Sequence, residues 1–178
     1  MFAAVGHNKN IMRALSINKT VTTSLLFTAL LFCHASRAAP PPSKAECNAA
    51  LQAALVTNLN FGDYEGAVAG TITVDTAGAR TTTGPILAGG TVSAAAYDVW
   101  TTLAGCERRN ITVTVPGTAI LTGPASMTAN NFTKNPANKF KLSAPAVPTR
   151  VTVGASLNST AGQTGGPYAT AFTVDFSH

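Results

Sequence analysis

Few residues of this chain could do chemistry, and their spacing narrows the options further. Nucleophilic catalysis of the Ser-His-Asp or Cys-His kind needs an imidazole within hydrogen-bond reach of the nucleophile. The 178-residue chain has three histidines, His7, His34 and His178. The first two fall in a leader described below, and His178 stands at the C-terminus, where chains fray. Histidine-based zinc sites are disfavoured for the same reason, and Cys47 and Cys106 lack partners for a thiolate cluster. Paired carboxylates are the remaining catalytic option. Asp63 and Glu65, at i and i+2, face the same way on an extended segment, but Phe61–Gly66 reads as a strand running into a Gly-rich turn where acids are simply solvated. No Asp-x-Asp-x-Asp loop accompanies them, so no metal site is expected. The chain is therefore expected to be non-catalytic and without a cofactor.

Two aromatic residues suggest binding instead. Tyr97 and Trp100 could form a stacking platform for sugar rings, although in a chain with one Trp and three Tyr such side chains more commonly anchor a core. Glu107-Arg108-Arg109 beside Cys106 reads as a wet turn. Asn110, Asn131 and Asn158 each begin an Asn-x-Thr/Ser acceptor pattern. Thr is so frequent in this chain that such matches arise by chance.

The elements that must position these residues begin after an export signal. Lys9, Arg13 and Lys19 precede a short apolar run, Leu25–Cys33, and the small residues Ser36 and Ala38 follow, which is the order of a secretory signal peptide. The run is shorter than the roughly 20 residues that span a bilayer, so cleavage after Ala38 is expected and no transmembrane segment in the mature chain. Met1 and Met12 are both possible starts. Phe32 is too bulky for a lipoprotein signal at Cys33. Four of the twelve basic residues, Lys9, Arg13, Lys19 and Arg37, leave with the leader, so the formal net charge of +5 belongs to the precursor. The near-neutral remainder gives no support to a nucleic-acid partner. Cys47 and Cys106, in an exported chain, are most simply one disulfide.

Residues 39–46 form a stiff, Pro-rich leader, and residues 47–178 have the size of one domain. Apolar periodicity there is mostly two. Leu51–Phe61 reads as a half-buried strand, with a short helix over Ala49–Val56 as the alternative. Further strands are expected at Thr71–Asp75, Ala94–Leu103, Asn110–Val115, Ala119–Thr122, Ser126–Phe132, Lys139–Leu142 and Arg150–Leu157. The final run is the cleanest, with Tyr168, Thr170, Phe172, Val174 and Phe176 on one face. Short strands separated by turn residues predict an antiparallel all-β sandwich or barrel.

The order of these segments resembles a family of exported bacterial β-sandwich domains of unknown function, related to fimbrial major subunits of the Mat or common-pilus type. The resemblance rests on Leu59-Asn60-Phe61-Gly62, Gly70–Val74, Gly78–Thr81 and Ala94–Tyr97. It continues through Ile111–Pro116, Met127–Phe132, Val153–Leu157 and Gly162–Tyr168, and so covers nearly all of the mature chain. It implies an immunoglobulin-like, pilin-like sandwich with a structural or adhesive role at the cell surface and no catalytic residues. Implied partners are like subunits and a periplasmic chaperone and usher. In such proteins an exposed strand templates another chain. Here Tyr168, Phe172, Val174 and Phe176 would be the contact face, directed at the domain's own core or at a partner. One departure stands out: Ala39–Glu46 is too short and too proline-rich to donate a strand. A secreted monomeric ligand- or carbohydrate-binding module is the rival expectation, and a carboxylate hydrolase a distant third.

Overall fold

The computed structural model describes residues 39–66 and 68–178. The expected signal peptide, its Ala38 cleavage site and the two candidate starts lie outside the described residues. No helix among the described residues is long and apolar enough to cross a membrane.

The chain enters through a helix that periodicity did not announce. Helix α1, Lys44–Ala50, starts at a capping box: Ser43 Oγ accepts from the Glu46 N–H at 3.3 Å, while the Glu46 carboxylate accepts from the Ser43 N–H at 2.7 Å. Both bonds satisfy donors that the first helical turn leaves open. The helix spans the boundary expected at Cys47. It ends where Leu51 turns extended, so the alternative helix over Ala49–Val56 is corrected to a strand.

The expected Leu51–Phe61 strand is two strands. Strand β1, Leu51–Thr57, pairs antiparallel with β6, Ala95–Thr101, and β2, Asn60–Glu65, pairs with β5, Ile86–Ser93. A bulge between Leu55 and Thr57 ends the first ladder. Nor is β1 half-buried: past Leu51 every residue is exposed, because the strand lies at a sheet edge. The remaining strands are β3, Gly70–Val74; β4, Arg80–Thr83; β7, Thr112–Thr114; β8, Thr118–Thr122; β9, Ser126–Asn135; β10, Thr149–Ser159; and β11, Asp175–Ser177. Lys139–Leu142 is not a strand. Phe140 instead exchanges two backbone hydrogen bonds with Ile111.

Strand β10 organises the molecule. One edge carries β9 from Thr152 to Asn158, and the other carries β6 along Thr149–Val153 and then β3 along Ala155–Ser159. The changeover falls at Gly154, where a Cβ would stand 2.3 Å from the Val74 carbonyl oxygen. A strand that changes partners at such a point lets one sheet serve two packing faces. Accordingly the buried side chains form two clusters. The first gathers Ile72, Val74, Met127, Ala129 and Leu157, and the second Val99, Ile111, Val113, Leu142 and Val151. The protein is an antiparallel all-β sandwich.

A disulfide joins Cys47 on α1 to Cys106, the first residue of a 3₁₀ turn at Cys106–Arg108, and both cysteines are fully buried. The expected wet turn is thus partly structural. The Arg109 guanidinium donates to the Pro42 carbonyl at 2.6 Å and fastens the Pro-rich leader beside the bridge.

Candidate functional site

The final segment departs most from expectation. Its side chains alternate as predicted except at Thr170: Tyr168, Phe172, Val174 and Phe176 are half-buried, and Thr170 is exposed together with Ala169, Ala171, Thr173 and Asp175. Its backbone does not follow. Ala169 exchanges two hydrogen bonds with Thr122, and Asp175–Ser177 forms the short β11 on β7, but residues 170–174 belong to no ladder. The predicted Tyr168–Phe176 strand is therefore corrected to a segment held by side chains. Tyr168 packs on the first cluster, while Val174 and Phe176 pack on the second, so one segment ties the two together. The Phe176 ring meets Tyr97 edge-on at 5.7 Å, and Phe172 meets Phe132 at 5.2 Å.

The Phe172 contact depends on a backbone irregularity. In β9 the inward residues are Met127 and Ala129, and strict alternation would turn Phe132 to solvent. A bulge opposite Ala155, with Asn131 at φ 49°, moves the inward parity to Phe132 and Lys134. Asn tolerates the left-handed region better than most residues, and bulges of this kind re-aim side chains.

Between this segment and β2 lies an open cleft of about 520 Å³. Its floor is the first core cluster itself, through Leu121, Met127, Ala129 and Leu157. One wall is Asn58–Tyr64, and the other Gly166–Phe172. Among the described residues strand β2 pairs with β5 alone, and the opposite wall runs past Ala169, bridged to Thr122, into the stretch without a ladder. The slot thus runs between a strand paired on one side and a stretch outside any ladder, over a base of core side chains, an arrangement that suits an added strand. Tyr64 stands in it with its hydroxyl donating to Met127 Sδ at 2.9 Å, and burial raises its phenol above the usual range.

Two devices hold the walls. Arg80 on β4 donates to the carbonyls of Phe61 at 2.9 Å, Asp63 at 3.0 Å and Gly89 at 2.9 Å, and so clamps the irregular β2–β5 pair. On the far side the Tyr168 hydroxyl donates to the Thr164 carbonyl and accepts from Gln163 Nε2 at 2.8 Å, while the Gln163 N–H reaches the Gly66 carbonyl at 3.1 Å. Gly123 is required here, since a Cβ would come within 2.4 Å of the Pro167 carbonyl oxygen.

The other sequence candidates are scattered. Asp63 and Glu65 lie exposed on one face of β2, with Glu65 as its last residue before the turn at Gly66, as expected. No group of three or more His, Cys, Asp or Glu that could hold a metal occurs among the described residues. Tyr97 and Trp100 point to opposite faces of β6, because residues three apart on a strand alternate sides. They do not form a common platform. Tyr97 packs on the second cluster, and half-buried Trp100 is in neither. Of the acceptor-pattern asparagines, Asn110 and Asn131 are exposed and Asn158 lies within β10. His178 is tied to α1: its backbone N–H donates to Asn48 Oδ1 at 2.8 Å. Burial holds its imidazole below the ordinary value. Arg109 and Lys44 add to that, and the Asn110 backbone offsets part of it.

Fold and site together define an antiparallel β-sandwich with an open cleft over its first core cluster. The chain belongs to the family described as Domain of unknown function (DUF4402), which matches residues 51–177. No curated protein and no solved structure matches it.

Proposed function

We propose that the protein is a non-catalytic structural or adhesive subunit of a bacterial surface fimbria or a related exported assembly, with a pilin-like sandwich that accepts a strand from a partner. The observation that carries this reading is the cleft. The cleft lies over the first core cluster, between strand β2, paired on one side among the described residues, and the ladder-free segment 170–174. An extended partner segment laid there would find backbone that no ladder takes up. Like subunits, or a periplasmic chaperone during export, are the partners this reading implies.

The test is immunogold electron microscopy of cells expressing the gene with its genomic neighbours. Labelled surface fibres are expected, with the label lost when Leu121→Lys places a charge in the cleft floor of a variant that is still exported. Protein recovered only as a monomer from the medium, with unlabelled cells, would overturn the reading and favour a secreted binding module.

A further inference from the structure

A second surface is built for self-association and does not involve the cleft. Strand β1 is seven residues long, ends the path β1-β6-β10-β3-β4, and pairs only with β6 among the described residues. Natural edge strands are usually protected by charges, prolines, bulges or brevity. Within the same sheet, β4 is four residues long and begins with Arg80, and β8 is bridged to Ala169 at its last residue, Thr122. Strand β1, Leu-Gln-Ala-Ala-Leu-Val-Thr, has no charge and no proline, and Leu55 is 54% and Val56 49% exposed. Its bulge lies past Leu55, so Leu51–Leu55 is a regular, uncovered stretch.

We infer that Leu51–Leu55 pairs antiparallel with the same residues of a second copy, about a two-fold axis through Ala53, to give a continuous β6-β1-β1-β6 sheet. The register follows from the regular stretch. About that axis Leu51 of each copy lies opposite Leu55 of the other, with Ala53 opposite Ala53, on the face shared with Val99 and Tyr97. On the other face Gln52 lies opposite Ala54. Every cross-strand pair is therefore apolar or neutral, and the exposed Leu55 gains a leucine neighbour. Asp98, the cross-strand partner of Ala54, is ion-paired with Arg150 at 2.6 Å and brings no unpaired charge to the seam. A second copy is the fitting occupant because the stretch complements itself, as a two-fold interface requires. So short a ladder buries less than a standard interface and belongs with weak, concentration-dependent contacts.

Sedimentation velocity of the purified protein over a wide concentration series tests this, with charge swaps on the solvent face. Wild type is expected to pass from monomer to dimer. Gln52→Lys with Ala54→Lys sets lysine against lysine across the seam and weakens the dimer by on the order of tenfold or more, and the Gln52→Glu, Ala54→Glu pair does the same. An equimolar mixture of the two double variants regains the dimer, which also shows that both are folded. Wild type that stays monomeric throughout overturns the inference, as does a dimer that the lysine pair leaves unchanged. A dimer that survives the lysine pair and is lost with Leu121→Lys places self-association in the cleft, which overturns this inference and supports the strand-accepting reading.

Discussion

Phe172 and Phe132 meet with ring centroids 5.2 Å apart and planes tilted by 51°. The contact is made across the ladder-free stretch, so it does work that hydrogen bonds do elsewhere in the sandwich. Phe172→Ala is expected to loosen the final segment while leaving β10 and its neighbours formed. The half-buried ring contributes less than a fully buried one, and a loss of about 1–3 kcal/mol is expected. Hydrogen exchange should show faster amides around residues 170–174, with β10 protection falling only through the global change.

Asn131 controls the same contact through the backbone. Its φ of 49° belongs to a bulge that aims Phe132 inward. Asn131→Gly is expected to keep stability within a few tenths of a kcal/mol, whereas Asn131→Val should cost about 1–2 kcal/mol, since a β-branched residue is strained there. Chemical denaturation of the two variants checks the order. Equal stability would show that the bulge is not strained.

Part of this organisation was legible in the sequence, and the illegible parts have physical reasons. Strands β3, β6, β9 and β10 each send an alternating set of apolar side chains into the core, so period-two patterning disclosed them. Strand β5 contains Gly89 and Gly90, and β4 is Arg-Thr-Thr-Thr, so neither shows an apolar face to read. Helix α1 is too short to show a period, although Ser43 and Glu46 spelled a capping box. The final run gave the facing of its large apolar residues correctly, that of Thr170 wrongly, and its pairing wrongly, because alternation reports which side chains are buried and says nothing about whether the backbone finds a neighbour. The cleft was invisible for the same reason. Its residues lie far apart in the chain, and the parity change at Asn131 breaks the pattern that would have placed Phe132.

The Cys47–Cys106 bridge closes a separation of 59 residues. In the chain-entropy account a loop of that length stabilises the fold by about 4 kcal/mol. The bridge also holds α1 against the 3₁₀ turn, where both cysteines are buried without access to solvent. The Cys47→Ser, Cys106→Ser variant is expected to lose about that much stability. Calorimetry of the variant beside the oxidised protein provides the measurement.

His178 gives the fold a dependence on pH with a definite sign. Burial, with Arg109 and Lys44 close by, lowers its pKa below the ordinary value, and the Asn110 backbone only partly offsets this. A group whose folded pKa is depressed takes up its proton more readily in the unfolded chain, so its contribution is intact above the ordinary value of about 6.5 and is lost as pH falls through the lowered one. The C-terminus, tied to Asn48 through the His178 N–H, is expected to loosen from α1 over that acidic range. Exchange rates of the β11 amides, corrected for intrinsic pH effects, should rise relative to those of β10. His178→Phe, which cannot be protonated, should flatten that difference. A profile that persists unchanged in the variant would move the origin to the carboxylates.

Gly154 makes the most demanding prediction, because it stands where β10 exchanges β6 for β3. A methyl group there would sit 2.3 Å from the Val74 carbonyl oxygen and 2.7 Å from the Asp75 carbonyl carbon, both of them backbone atoms that cannot swing aside as a side chain would. Gly154→Ala must therefore push β3 away from β10, and β3 supplies Ile72 and Val74 to the core cluster under the cleft. Overpacking of this kind costs about 1–3 kcal/mol. The damage should be polarised: the β3–β4 half loses protection from hydrogen exchange while the β1–β6 half, joined to β10 before Gly154, retains it. If both halves lose protection together at low denaturant, the two clusters fold as a single unit and β10 does not serve as the joint between them.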